Sequence, residues 1–117
     1  MAVSDKGIEA LAKKNVIATI LPGTTVFLGL RDFAPARKML DSGVKVAIGT
    51  DFNPGSCAFT SQALMMNFAI ANCKMTLEEA LRGVTKTAAE SLRRKNVGFI
   101  DINAQADLLV WKLDTLD

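Results

Sequence analysis

Near the start of the chain, apolar residues recur at helical spacing, with Ile8, Leu11 and Ala12 forming one stripe among polar neighbours. Ser4 in capping position, Asp5 in the first turn and Lys13, Lys14 and Asn15 at the far end predict a helix of about three turns. The pattern then changes. VIATIL, Val16 to Leu21, is β-branched and apolar without alternation, which predicts a strand covered on both faces and closed by Pro22-Gly23. A second helix is predicted from Pro35, turning Ala36, Met39 and Leu40 inward and stopping at Gly43. VKVAIGT, Val44 to Thr50, reads as the next buried strand. Strand, helix and strand in that span are the parts of a right-handed parallel βαβ crossover, whose C-terminal strand ends carry chemistry.

Beyond it, SQALMMNFAIAN (Ser61 to Asn72) is apolar on nearly every side, which predicts a helix packed between layers. TLEEALRGVTKTAAESLRRK follows, with a capping box of Thr76 and Glu79 and an apolar stripe of Leu77, Ala80, Leu81, Val84, Ala88 and Leu92. Glu78 with Arg82, and Glu90 with Arg94, are spaced to pair along its solvated face. Two short β segments, Phe99 to Ile102 and Asp107 to Leu113, are expected to close the chain as a hairpin or sheet addition. Two parallel strands cannot bury so much apolar helix, so the remaining strands are expected from another copy or from a longer parent.

Composition narrows the function classes. The 117 residues are 50% hydrophobic and 22% charged with a net charge of +2, the balance of a globular domain. Cations and acids are interspersed, so no basic face for nucleic acid is expected. The longest nearly apolar stretch, Ala63 to Ala71, falls short of the ~20 residues a membrane span needs. MAVSDKGIEA is not a secretion leader, and a cytoplasmic location is the expectation. Cys57 and Cys73 are expected to be buried free thiols; with no histidine in the chain, nothing activates either as a nucleophile.

One stretch concentrates polar chemistry at a strand end: GTDFNPGS, Gly49 to Ser56. A carboxylate at the C-terminal end of a buried parallel strand is expected to be partly desolvated, and to stay ionised through a cation or several donors. Asn53 offers a donor and an acceptor, Pro54-Gly55 forces a turn, and Ser56 and its neighbours are expected to present free N–H groups to an anionic ligand. The local residues leave two readings open. Asp51 is a ligand for a cation, or Asp51 and Asn53 satisfy the amides of their own loop.

GTDFNPGS, preceded by VIATILPGTTVFL and followed by TLEEALRGVTKTAAESL and ADLLVW, resembles the C-terminal part of the imidazolonepropionase family of metal-dependent amidohydrolases. The resemblance covers nearly the whole chain with order and spacing kept. It implies an α/β fold: the last βα units of a (β/α)8 TIM barrel over residues 1–96, and strands of a small composite β-sandwich domain over 97–117. A complete barrel takes ~250 residues, and Met1 would fall just after the sixth strand.

By the same resemblance, Asp51 would be both metal ligand and catalytic group, assisting proton transfer from the attacking water. Asn53, Gly55 and Ser56 would contact substrate, and the Leu21-Pro22-Gly23 turn would be structural. The cofactor implied is Zn2+ or Fe3+ in the full-length parent, and the substrate a small molecule, 4-imidazolone-5-propanoate, opened to N-formimidoyl-L-glutamate in histidine degradation. The family's histidines and substrate-holding tyrosines have no counterpart here, since the chain has neither residue. The isolated chain is therefore expected to be inactive and to hold no metal tightly. Two alternatives remain: a non-catalytic module completing itself as a homo-oligomer, or a piece of another amidohydrolase such as a deaminase or cyclic-amide hydrolase.

Overall fold

The computed structural model describes residues 3–112. Helix α1 (Asp5–Lys13) begins where Ser4 accepts a hydrogen bond from the Gly7 amide at 3.2 Å, and it buries Ile8. Strand β1 (Ala18–Ile20) pairs in parallel with β2 (Val46–Ile48), in the register Ala18 to Val46, Thr19 to Ala47 and Ile20 to Ile48. This is the expected βαβ pairing. All three β2 residues are buried, but Thr19 of β1 is exposed and Val16 stays outside the strand. The expectation that Val16 to Leu21 is covered on both faces is thus corrected: among the described residues no layer lies over the outer face of β1.

Pro22-Gly23 does not merely close β1. It starts a helix, α2 (Pro22–Phe27), with proline at the first position, where its missing N–H costs nothing. Gly23 is buried against the next layer: a Cβ there would lie 2.5 Å from Met65 Sδ and 3.2 Å from Cys57 Sγ. α3 (Ala36–Asp41) follows Pro35, buries Ala36 and Met39, and gives way to Gly43 at φ +80°, a left-handed setting that glycine adopts without strain.

α4 (Gln62–Cys73) is capped by Ser61, whose hydroxyl accepts from the Leu64 amide at 3.2 Å. It buries a single stripe of Met65, Ala69 and Cys73, so it lies on the core and is not sandwiched between layers, contrary to its all-round apolar sequence. The layer that would cover its other side is not among the described residues. α5 (Leu77–Val84) carries the expected capping box: the Thr76 amide donates to Glu79 at 2.8 Å and the Glu79 amide to Thr76 Oγ1 at 3.2 Å.

The helix expected to continue through Leu92 breaks at Thr85, whose φ of −119° and ψ of −98° are not helical, and α6 (Lys86–Ser91) resumes. Leu92 is exposed. Glu78 and Arg82 pair as expected, 3.0 Å apart, but Glu90 takes Lys45 at 2.7 Å instead of Arg94, which docks α6 beside β2.

Ile8, Ile20, Met39, Val46, Ile48, Met65, Ala69 and Ala80 form one core between the two strands and the helices that follow them. Residues 97–112 form no strand, which corrects the expected hairpin; the end of that expectation, Leu113, lies outside the described residues. β-rich segments need partners for their backbone groups, and here Ile100, Ile102, Val110 and Trp111 stand exposed beside no third strand. Among the described residues, no helix is long and apolar enough to cross a membrane.

Candidate functional site

The parallel register sets the site. Because Ile20 lies opposite Ile48, the segments leaving β1 and β2 emerge from the same end of the sheet. From β1 the chain turns directly into α2, which places Thr24 in the first turn of that helix. From β2 it runs through Gly49 and Thr50 to Asp51, whose φ of 54° lies in the left-handed region that aspartate tolerates better than most residues. The two strand ends then meet: Thr24 Oγ1 donates to Asp51 Oδ2 at 2.8 Å. Asp51 is exposed, not partly desolvated as expected, because the two-stranded sheet ends beside it.

Around Asn53 the loop is self-braced. Asn53 Oδ1 accepts from the Gly55 and Ser56 amides, each at 2.9 Å. Its Nδ2 donates to the Asp51 carbonyl at 2.6 Å and to Ser56 Oγ at 2.9 Å, while the Asn53 amide donates to the Cys57 carbonyl at 2.9 Å. The expectation of free N–H groups at Gly55 and Ser56 is therefore corrected: both point at Asn53, and the next helix begins only after Ser61. Of the two local readings left open for this loop, each holds for one residue. Asn53 satisfies the amides, whereas the Asp51 carboxylate accepts none of them and bonds to Thr24.

Cys57 anchors the far end of the loop in the core, and Phe59 packs edge-on to Phe27 of α2 and at a tilt to Phe68 of α4, each with centroids 5.7 Å apart. These contacts hold the loop against two helices. A cavity of about 170 Å³ opens there, lined by Thr19, Leu21, Thr24, Asp51 and Cys73 among others. Burial pushes the Cys73 thiol above its ordinary range, so it stands there protonated and is not a thiolate nucleophile. Both cysteines are free and buried, as expected.

Asp51 fits the part of one carboxylate ligand to a divalent or trivalent cation: it is accessible, it lines the cavity, and a hydroxyl already engages one of its oxygens. Among the described residues, no three histidine, cysteine, aspartate or glutamate side chains converge, so Asp51 stands there without the further ligands such a site needs. Thr24 is the site residue that the linear pattern did not single out. Its signal was a hydroxyl placed directly after the strand-ending Leu-Pro-Gly turn, at the end of the sheet where Asp51 also lies.

Residues 3–117 match the amidohydrolase family model. The chain belongs to the amidohydrolase family. It is 48% identical to an imidazolonepropionase of Bacillus cytotoxicus over 112 residues, which are 95% of this chain and 26% of that protein. An imidazolonepropionase of Bacillus mycoides is 47% identical over the same extent. The chain thus spans about a quarter of the length of the curated relatives it matches. Among solved structures, E. coli guanine deaminase superposes with a TM-score of 0.70 over 83% of this chain and 23% of its own, at 22% identity, a likeness of fold alone. The shared fold is present here, among the described residues, as one pair of parallel strands and their helices.

Proposed function

We propose that this chain is the part of an imidazolonepropionase that carries the last units of a (β/α)8 barrel over residues 1–96, with 97–117 belonging to a small β-sandwich domain. The reaction proposed for the whole enzyme is hydrolytic opening of 4-imidazolone-5-propanoate to N-formimidoyl-L-glutamate, a step of histidine degradation. One observation carries the reading. An exposed carboxylate, Asp51, stands at the C-terminal end of a buried parallel strand in a chain 48% identical to an imidazolonepropionase over 95% of its length.

Within that reading Asp51 has two tasks, as ligand and as acceptor of the proton released by the attacking water. Zn2+ or Fe3+, when bound, supplies a Lewis acid that lowers the pKa of a water and polarises the ring carbonyl. Gly55 and Ser56 form the wall of the loop that substrate meets. Asn53 shares that wall by holding the turn, since its amide group is engaged on both the oxygen and the nitrogen side. The loop is thereby rigid before substrate arrives, the condition for precise placement of a reacting group.

The test is a chimera in which this chain replaces the matching residues of the Bacillus cytotoxicus enzyme. Ring opening by the chimera is expected. Asp51→Asn should lower both metal content and turnover, by more than the roughly 10–100-fold that loss of an outer-shell partner costs. Full metal content and turnover in Asp51→Asn would overturn the assignment of that residue.

A specific observation also favours self-association of the isolated chain. Ile100, Ile102 and Val110 are each 87% exposed or more, and the outer edges of β1 and β2 carry no partner among the described residues. Surface of that kind is covered in a stable protein.

A further inference from the structure

We propose that the Thr24 hydroxyl is a positioning group for the Asp51 carboxylate, fixing the rotamer in which that acid serves as a metal ligand. The proposal deepens the reading of Asp51 given above and rests on it for its functional half. Three features of the structure carry it.

First, the bond spans the two strand ends. Thr24 and Asp51 are 27 positions apart and lie on different βα units, so the 2.8 Å contact is made only when β1 and β2 are paired in the observed register. Second, Thr24 is held and Asp51 is not. Thr24 sits half-buried in the first turn of α2, beside the buried Pro22 and Gly23, and Gly23 is seated against Met65 and Cys57. Asp51 is exposed, and its backbone is fixed by the Asn53 brace through the Asp51 carbonyl, which leaves its side-chain torsions undetermined by packing. Third, Thr24 is the only donor to that carboxylate among the described residues, so Asp51 Oδ1 stays available.

A hydroxyl suits this task. It directs one carboxylate oxygen without adding a positive charge that would compete with a cation for the acid. An arginine or lysine in its place would hold the carboxylate and neutralise it together. Pre-setting the rotamer removes an ordering cost that a ligand would otherwise meet at the moment of binding.

The first measurement uses the 117-residue chain itself and reads three-bond Hα–Hβ couplings of Asp51 by NMR. Wild type and Thr24→Ser should show one dominant rotamer, and Thr24→Val, of the same shape without the hydroxyl, should show averaged values. Averaging in the wild type, or an equally fixed Asp51 in Thr24→Val, overturns the proposal. The second measurement reads metal affinity and kcat in the chimera: Thr24→Val should weaken metal binding about tenfold and lower kcat, with KM little changed and Thr24→Ser restoring both. Wild-type metal affinity in Thr24→Val, where Asp51→Asn loses the metal, overturns the positioning role while the assignment of Asp51 stands. Full metal retention by Asp51→Asn overturns that assignment instead, and with it the functional half of this proposal.

Discussion

Arg37 grips Glu79 with two parallel guanidinium–carboxylate hydrogen bonds, 2.9 Å to Oε2 and 2.8 Å to Oε1, which ties α3 to the first turn of α5. The same guanidinium donates from Nε to Asp41 at 2.9 Å, and Glu79 also accepts from the Thr76 amide at 2.8 Å. One side chain thus completes a helix cap and links two helices. The hydrogen bonds from Arg37, and less so those from Thr76, hold the Glu79 carboxyl below its ordinary value of 4.5.

That depression gives stability a definite slope in acid. Because the folded state binds the Glu79 proton less readily than the unfolded chain, its contribution is complete above pH 4.5 and is lost as pH falls from there through the lower folded value. Urea unfolding at stepped pH should therefore show wild type losing stability below pH 4.5 more steeply than Glu79→Gln. Parallel curves for the two proteins would show that the ion pair contributes nothing measurable to folding.

Thr76→Ala removes the hydroxyl that accepts the Glu79 amide at the start of α5. The expected loss is about 1 kcal/mol, in the ordinary range for a cap, read from the denaturation midpoint at neutral pH. Thr76→Ser should keep most of it.

Gly23 and Met65 are energetically coupled. Gly23→Ala drives a Cβ to 2.5 Å from Met65 Sδ, and overpacking of this kind costs about 1–3 kcal/mol. Met65→Ala alone opens a cavity at a fully buried position. In the double variant the new methyl has room, so the combined loss should be smaller than the sum of the two single losses, and a double-mutant cycle measures the difference. Simple additivity would mean that α2 moves away from α4 at little cost.

Asn53→Ala should unpin the loop without unfolding the core. Gly55 and Ser56 amides lose their shared acceptor, so their hydrogen exchange should quicken, while the β2 amides and the melting temperature change little. Unchanged exchange at both amides would refute the brace.

The isolated chain should neither open the imidazolone ring nor bind Zn2+ tightly, because catalytic zinc sites take about three protein ligands and this chain brings Asp51 without a histidine. Calorimetry showing a stoichiometric, tight zinc site would contradict this. Light scattering of the same sample should show a discrete oligomer, and Ile100→Lys with Val110→Lys should shift it toward monomer; a wild-type monomer at high concentration rules out self-association through that surface.

Much of this architecture was legible along the chain because its signals are local. Ser4 and Thr76 mark helix starts by reaching amides three residues away, and Pro35 with Gly43 bounds α3 by backbone preference alone. The β-branched runs around Ala18 and Val46 specify strands, and the helix between them dictates parallel pairing. The position of Asp51 at a strand end follows from the same order.

Where outcomes depended on neighbours, the linear pattern misled. Pro22-Gly23 reads equally as a stop and as a helix start, and the packing of Gly23 against Met65 favours the helix. The apolar runs of α4 and of residues 97–112 are written for partners that are not among the described residues. One is therefore half-covered, and the other forms no strand. Which side chain meets Asp51 was likewise settled only by register, since a hydroxyl 27 positions away comes within 2.8 Å when Ile20 stands opposite Ile48. Short-range preferences set the elements, because capping and turn chemistry act within a few residues. Long-range contacts set the site, because each depends on how those elements are stacked.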